Sequence, residues 1–146
     1  PYTGEVPEGR VVAIAERLAA AEPVEVALAD TIGVAVPSAV ASLVRRVRRA
    51  IAPVPVRIHL HNTRNTGVAN VWAAVEAGAR TVDASLGGLG GCPFASGTAG
   101  NVPTEDVVYM LERSGVSTGL DLHRLIETSR WLAGVMNNQL PGLLVR

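Results

Sequence analysis

The sequence predicts an α/β fold built around a parallel sheet, and three observations lead to this prediction. Amphipathic patterns with helical spacing, each about a dozen residues long, recur along the chain. Short apolar runs typical of β-strands separate these patterns. Proline or glycine stands near several of the predicted helix ends. Strands that alternate with helices in this way form βαβ units, in which the strands are parallel.

Five helices and three strands are predicted. The first helix carries the apolar stripe Val11, Ile14, Ala15 and Leu18, and the second begins near Pro37. The third carries the stripe Val68, Val71, Trp72 and Val75 and ends at Gly78. The fourth is capped by Thr104 and ends at Gly115, and the fifth covers residues 122–136. The strands cover residues 24–30, 56–62 and 81–86. Trp72 and Trp131 lie on helical stripes and are expected in the core, whereas His123 is expected at the surface.

Three parallel strands are too few to close a barrel, since a (β/α)8 barrel needs about 250 residues and this chain has 146. We therefore expect part of a TIM barrel: its last three parallel strands, their helices and the C-terminal helices. Residues 1–146 would form this single C-terminal portion, with the first five or so strands absent. The open sheet edges would then pair with the missing barrel half or with a second copy.

Composition excludes several classes of protein. The formal net charge is zero, which gives no reason to expect a nucleic-acid or membrane-surface partner. No apolar run approaches the ~20 residues of a membrane span. The single cysteine cannot form an internal disulfide, so a reducing, cytoplasmic location is expected.

Two histidines alternate along the second predicted strand. Because successive side chains of a strand point to opposite faces, His59 and His61 share one face, and Ile58 and Leu60 share the other. Paired imidazoles at the C-terminal end of a barrel strand are suited to binding a metal ion at an active site. The alternative is that they are two unrelated polar residues lining the barrel mouth.

Two further segments lie at the same end of the predicted sheet. Asp30 ends the first strand and is either catalytic or a turn or helix-capping residue. The run GLGGCPFASGTAGN (88–101) follows the third strand and matches neither a dinucleotide-binding nor a P-loop pattern. We interpret it as a lid that would bring Cys92 to a substrate. The alternative for Cys92 is a small buried apolar side chain.

Four segments together resemble a known family. DTIGV (30–34), HLHNT (59–63), VDASLGGLGGCPFASGTAGN (82–101) and TEDVVYML (104–111) have the order and spacing of 3-hydroxy-3-methylglutaryl-CoA lyases. These enzymes belong to the metal-dependent TIM-barrel lyases and Claisen-type synthases. The resemblance implies retro-Claisen cleavage of hydroxymethylglutaryl-CoA, an acyl-CoA substrate, to acetyl-CoA and acetoacetate.

The resemblance also implies roles for individual residues. His59, His61 and Asn101 match ligands of a divalent cation, Mg²⁺ or Mn²⁺. Cys92 matches a loop cysteine implicated in proton transfer, and Asp30 matches an aspartate that acts on the substrate hydroxyl or orients it. His59 is counted among the catalytic residues as well as the ligands.

The sequence departs from the family pattern in two respects. Asn62 stands where the family usually has Asp, and TRNTG (63–67) replaces a more usual Tyr-Gly, which could mark a branch acting on a related acyl-CoA. The family's first-strand Arg-Asp pair and early catalytic Glu have no counterpart. Without a carboxylate, two His and one Asn should bind a hard cation weakly, so this chain alone is expected to be inactive.

Three alternatives stay open at this point. The first is a related metal-dependent acyl-CoA lyase, synthase or aldolase of the same superfamily, although the GGCP sequence argues against a synthase. The second is a zinc hydrolase barrel, in which an H-x-H pair lies on the first strand with most of the barrel after it; here only 85 residues follow His61. The third is a non-catalytic truncated fragment.

Overall fold

Helices and strands alternate in the predicted order in the computed structural model, which describes residues 4–90 and 100–145. The elements are α1 (Glu8–Ala19), β1 (Val26–Ala29), α2 (Pro37–Ala50), β2 (Val56–His59), α3 (Gly67–Glu76), β3 (Thr81–Asp83), a 3-10 turn (Leu86–Gly88), α4 (Thr104–Arg113) and α5 (Leu122–Met136). No helix within the described ranges is both long and apolar enough to cross a membrane.

The three strands form one parallel sheet in the order β1-β2-β3. Val26 pairs with Val56, and Arg57 pairs with Thr81. This register places His59 between Ala29 and Asp83 on the neighbouring strands. Each βαβ crossover is therefore made by one helix, α2 or α3, as the alternating pattern predicts.

The two faces of the sheet differ in chemistry. Val26, Val56, Ile58 and Leu60 are buried against the helices and form the core with Val44, Val47, Val71 and Ala74. The opposite face carries Ala27 and Ala29, both exposed, and a row of polar side chains on β2 and β3. We call this second face the open face.

All three strands are shorter than predicted, and β2 and β3 end early because the chain beyond them pairs with another segment. After His59, the chain leaves the regular ladder, and Val102 N donates to Leu60 O at 3.4 Å. The segment 100–103 thereby lies between the ends of β2 and β3, where Ser85 N donates to Val102 O at 3.1 Å. Nothing in the strand sequences signals this long-range pairing.

Helix α1 is rotated relative to its predicted apolar stripe. Ala15 is buried and Val12 and Ala19 pack against the core, whereas Ile14 and Leu18 are 48% and 53% exposed. Ala15 of the predicted stripe is therefore confirmed as buried, but the residues that pack beside it, Val12 and Ala19, each lie one position after a predicted residue.

Two other helix predictions were wrong. Thr104 is the first residue of α4 rather than its cap; Pro103 occupies the capping position and makes no side-chain cap bond. Trp131 is 64% exposed, although its position on α5 fits an apolar stripe. Trp72 does pack against the core, and His123 is exposed as predicted.

Candidate active site at the carboxyl ends of the strands

The two histidines of β2 lie together on the open face, as the alternation predicts. Their ring centroids are 5.0 Å apart and the ring planes meet at 79°. His61 is 4% exposed, and the side chain of His59 is 34% exposed. The ring of His59 is therefore the more accessible of the two.

Each imidazole has its Nδ1 atom within hydrogen-bond distance of an oxygen, so that Nε2 is the candidate metal-binding nitrogen. His61 Nδ1 lies 2.8 Å from the backbone oxygen of Asp30. His59 Nδ1 lies 3.3 Å from Oδ2 of Asp83. An acceptor at Nδ1 favours the tautomer with hydrogen on Nδ1 and a lone pair on Nε2. Metal-binding histidines are held by outer contacts of this type.

Asn101 adds an amide oxygen beside His61. The two residues form an antiparallel bridge, and Asn101 Nδ2 donates to Leu89 O at 3.0 Å. Its Oδ1 is buried and has no hydrogen-bond partner in the part of the chain that the structure describes. A buried acceptor without a donor is costly, and a bound cation would satisfy it.

His59, His61 and Asn101 therefore fit a divalent cation, but they supply no carboxylate ligand. Residues 4–90 and 100–145 contain no group of three His, Cys, Asp or Glu side chains that could hold a metal ion. The available set is two imidazole nitrogens and one amide oxygen. Mg²⁺ and Mn²⁺ favour carboxylate oxygen, so a carboxylate from outside this set would strengthen binding.

Asp30 occupies a turn at the end of β1. Its Oδ1 accepts from Val34 N and its Oδ2 from Ala35 N, each at 3.0 Å. Its carbonyl accepts from His61, so Asp30 orients a candidate ligand through its backbone. The turn interpretation is thus realised, and the catalytic role predicted for the carboxylate stays a prediction.

Cys92 lies outside the described residues, but both ends of the glycine-rich segment are defined. Asn101 N donates to Gly90 O at 3.2 Å, so the two ends meet next to His61. A Cβ atom at Gly100 would collide with the backbone oxygen of Gly88 and would lie 2.6 Å from Gly90 O. Glycine is required at this position because the two chain segments approach too closely for a side chain.

A charged row on the open face was missed by the sequence analysis. Arg57 Nε donates to Asp83 Oδ1 at 2.7 Å, and Arg57 Nη1 donates to Glu25 Oε1. Thr81 Oγ1 donates to the other oxygen of Glu25 at 2.8 Å. The sequence did contain one indication of this row. Arg57 lies two residues before His59, so the two side chains share one face of β2.

The guanidinium of Arg57 controls the charge of both acids. Its hydrogen bond to Asp83 is the main cause that holds the pKa of Asp83 below its ordinary value. The same group lowers the pKa of Glu25, with a smaller contribution from Thr81. Both carboxylates in turn raise the pKa of Arg57. The row is therefore fully ionised near neutral pH.

Asn62 keeps a structural role at the position where the resemblance leads one to expect Asp. Its Oδ1 accepts from Gly67 N at 2.9 Å, at the first turn of α3. Asn70, which is fully buried, donates from Nδ2 to Ala35 O at 2.8 Å. The first contact ties the loop after β2 to the start of α3, and the second ties the loop after β1 to the same helix.

The chain is similar in sequence to acyl-CoA lyases. An (R)-citramalyl-CoA lyase from Chloroflexus aurantiacus is 49% identical over 144 residues, which is 99% of this chain and 45% of that protein. A hydroxymethylglutaryl-CoA lyase from Bacillus subtilis is 38% identical over 142 residues, or 97% of this chain and 48% of that protein. The chain spans about half the length of these relatives.

Solved structures agree with the predicted fold class. An HMG-CoA lyase from Acinetobacter baumannii, in complex with coenzyme A and 3-methylmalate, superposes with a TM-score of 0.90 at 44% identity. The match covers 97% of this chain and 46% of that one. The prediction of an α/β fold forming part of a TIM barrel is confirmed. The HMGL-like family model matches residues 1–132, and the chain therefore belongs to the HMGL-like family.

Proposed function

We propose that the protein containing this chain is a carbon–carbon lyase that cleaves a 3-hydroxy-3-methyl dicarboxylic acyl-CoA and releases acetyl-CoA. The observation that carries the proposal is the placement of two imidazoles, each held through Nδ1, near the amide oxygen of Asn101, which has no hydrogen-bond partner among residues 4–90 and 100–145. This set lies at the carboxyl ends of parallel strands, where TIM-barrel enzymes place their active sites.

Two substrates fit this reaction class. Cleavage of 3-hydroxy-3-methylglutaryl-CoA gives acetyl-CoA and acetoacetate, and the same bond cleavage in citramalyl-CoA gives acetyl-CoA and pyruvate. They differ by one methylene between the hydroxyl-bearing carbon and the free carboxylate. Citramalyl-CoA is favoured by the higher identity to its lyase, 49% against 38%. A difference of one methylene is discriminated by about 10- to 200-fold in a fitted pocket.

His59, His61 and Asn101 would hold the divalent cation, Mg²⁺ or Mn²⁺, through Nε2, Nε2 and Oδ1. When bound, such a cation acts as a Lewis acid toward substrate oxygens. The buried position of His61 and the backbone contact to Asp30 keep this donor in place without a substrate. A carboxylate from the part of the protein outside this chain would complete the ligand set.

The remaining chemistry is assigned to Asp30 and Cys92. Each carboxylate oxygen of Asp30 accepts one backbone hydrogen bond and retains a lone pair. The Asp30 carboxylate can therefore accept a hydrogen bond from the substrate hydroxyl, and either take its proton as the carbon–carbon bond breaks or orient the hydroxyl toward another base of the protein. The departing enolate needs a proton, and a thiol with a reference pKa of about 8.5 is a suitable donor near neutral pH. We assign that role to Cys92.

The context of the site is part of the same proposal. The open face and the two free sheet edges are expected to be covered by the remaining barrel strands or by a second copy. The chain alone is then expected to be inactive. The single cysteine is typical of a reducing compartment, and a cytoplasmic location is proposed on that ground.

The decisive experiment assays the protein expressed from its complete reading frame with both acyl-CoA substrates. We expect acetyl-CoA to form from at least one of them, with Mg²⁺ or Mn²⁺ required and chelator abolishing turnover. Acetoacetate or pyruvate as the second product identifies the substrate. Formation of a longer acyl-CoA from acetyl-CoA and a keto acid, without cleavage, would instead support the related synthase.

Two variants test the assigned roles. Cys92→Ala should lower turnover severely while Mn²⁺ binding is kept, because a proton donor is removed without touching a ligand. His61→Ala should lose Mn²⁺ affinity. A Cys92→Ala protein with unchanged turnover would remove the thiol from the mechanism, and metal-dependent cleavage that survives His61→Ala would remove the proposed ligand set.

A further inference from the structure

We propose that Asp83 is a positioning residue for His59, and that Arg57, held by Glu25, fixes which oxygen of Asp83 faces the imidazole. The inference rests on the metal site of the proposed function, in which His59 contributes Nε2. It adds an outer layer of contacts that extends from β3 across β2 to Glu25, the residue before β1.

Strand register creates this arrangement. Arg57 pairs with Thr81 and His59 with Asp83 on the adjacent strand. Their side chains share the open face because Arg57 and His59 are two residues apart. Asp83 therefore reaches both residues at once, through different oxygens. Oδ1 accepts from Arg57 Nε at 2.7 Å, and Oδ2 lies 3.3 Å from His59 Nδ1.

The far end of the row holds the guanidinium in place. Arg57 Nη1 donates to Glu25 Oε1, and Glu25 is itself fixed by Thr81, whose Oγ1 donates at 2.8 Å. Both nitrogens of Arg57 that face Asp83, Nε and Nη2, contact the same oxygen, Oδ1. Oδ2 is thereby left to the imidazole.

The chemistry of the three groups determines the tautomer. A guanidinium can only donate hydrogen bonds, so it demands an acceptor at Oδ1. A carboxylate offers a second acceptor to the ring, so His59 carries its hydrogen on Nδ1 and its lone pair on Nε2. Carboxylate–histidine pairs of this type orient metal ligands, and their loss costs about 10- to 100-fold in metal affinity.

An isosteric change gives a sharp test. In Asp83→Asn, the guanidinium of Arg57 can only donate, so the amide oxygen Oδ1 is expected to face Arg57. The amide Nδ2 then faces His59. Nδ1 must then accept, and the hydrogen moves to Nε2, the nitrogen that would bind the cation. In the full-length protein we expect about a 10- to 100-fold loss of Mn²⁺ affinity. In the metal-free protein, ¹⁵N NMR should report His59 with its hydrogen on Nε2.

A second change should reverse the first. In the double variant Arg57→Met/Asp83→Asn, the guanidinium donor is gone. The amide of residue 83 can then rotate and present Oδ1 to His59. We expect this variant to return the hydrogen to Nδ1 and to recover most of the Mn²⁺ affinity. Arg46→Met is the matched control, because it removes an arginine that pairs with Glu8 on the helical surface at 2.7 Å. It should leave both readouts unchanged.

The outcomes separate this inference from the proposed function. An Asp83→Asn protein with the wild-type His59 tautomer and wild-type Mn²⁺ affinity would overturn it, as would a double variant that binds no better than Asp83→Asn. A wild-type protein that binds no Mn²⁺ would defeat the proposed metal site. In that case the tautomer comparison, made without metal, still decides whether Asp83 and Arg57 control His59.

Discussion

Both carboxylate oxygens of Glu105 accept a hydrogen bond from the backbone nitrogen of Gly87, at 2.9 and 3.1 Å. Glu105 is fully buried in the first turn of α4. Gly87 belongs to the turn that leads from β3 into the glycine-rich segment. The carboxylate thus anchors the point where that segment leaves the sheet.

Removing this acceptor should destabilise the protein. Glu105→Ala leaves the Gly87 N–H without its acceptor, at a cost of about 1–3 kcal/mol, in addition to a cavity. Glu105→Gln retains an acceptor oxygen and should cost less. Urea unfolding measures both differences. Equal stability of Glu105→Ala and the wild type would show that the contact contributes nothing.

Glycine is required at position 87 but not at position 134. Gly87 has φ +62°, and a Cβ atom there would meet the side chain of Leu140, which is itself buried. Gly87→Ala should therefore destabilise by about 1–3 kcal/mol through overpacking, with backbone strain in addition. Gly134 lies in α5 with nothing within 4 Å of its Cβ position.

Gly134→Ala is the matched control for this prediction. Alanine in a helix is favoured over glycine by about 0.5–1 kcal/mol, so this variant should be more stable than the wild type. Thermal unfolding of the two variants should move in opposite directions. A shift of the same sign for both would contradict the packing seen around Gly87.

Acid should weaken the loop after α4. Thr118 donates from its backbone nitrogen at 2.6 Å and its hydroxyl at 2.7 Å to Oε1 of Glu112. The backbone bond is the larger cause that lowers the pKa of Glu112 below its ordinary value. A lowered folded-state pKa means that the interaction stabilises the protein above the unfolded-state pKa and is lost as the pH falls through the folded-state pKa.

Carboxyl NMR titration checks this directly. The pKa of Glu112 should be lower in the folded protein than in an unfolded peptide. Thr118→Val keeps the backbone bond to Glu112 but removes the hydroxyl, which also accepts from Leu120 N at 3.2 Å, and should raise the pKa of Glu112 partway toward its ordinary value. A pKa that does not respond to Thr118→Val would show that the hydroxyl makes no contribution.

Asn101 should matter for metal affinity through its oxygen. Asn101→Ala removes Oδ1, the buried atom that has no donor among the described residues, and should lower Mn²⁺ affinity by about tenfold or more, or about 1.4 kcal/mol. Asn138→Ala changes an exposed amide after α5 and serves as the control. Calorimetric titration with Mn²⁺ measures both. Unchanged affinity in Asn101→Ala would exclude it as a ligand.

Local pattern was sufficient for much of the site. The alternation of His59 and His61 places both imidazoles on one face of β2 whatever surrounds the strand, because side chains of a strand alternate. The βαβ order placed Asp30, the histidines and Asn101 at one end of the sheet. Helical periodicity located all five helices, although it misplaced the buried stripe of α1 and the side chain of Trp131.

The remaining features of the fold and of the candidate site depend on which distant segments of the chain pack together. Ala15 is buried in the core whereas Ile14 and Leu18 of the same predicted stripe are 48% and 53% exposed, a distinction that periodicity alone does not make. The charged row from Glu25 to Asp83 exists only because strand register aligns residues 26 to 56 positions apart in the sequence. The sequence by itself determined the order of elements and the face of each histidine. Tertiary structure decided what holds each Nδ1 atom, since hydrogen bonds between distant residues depend on register and packing rather than on local spacing.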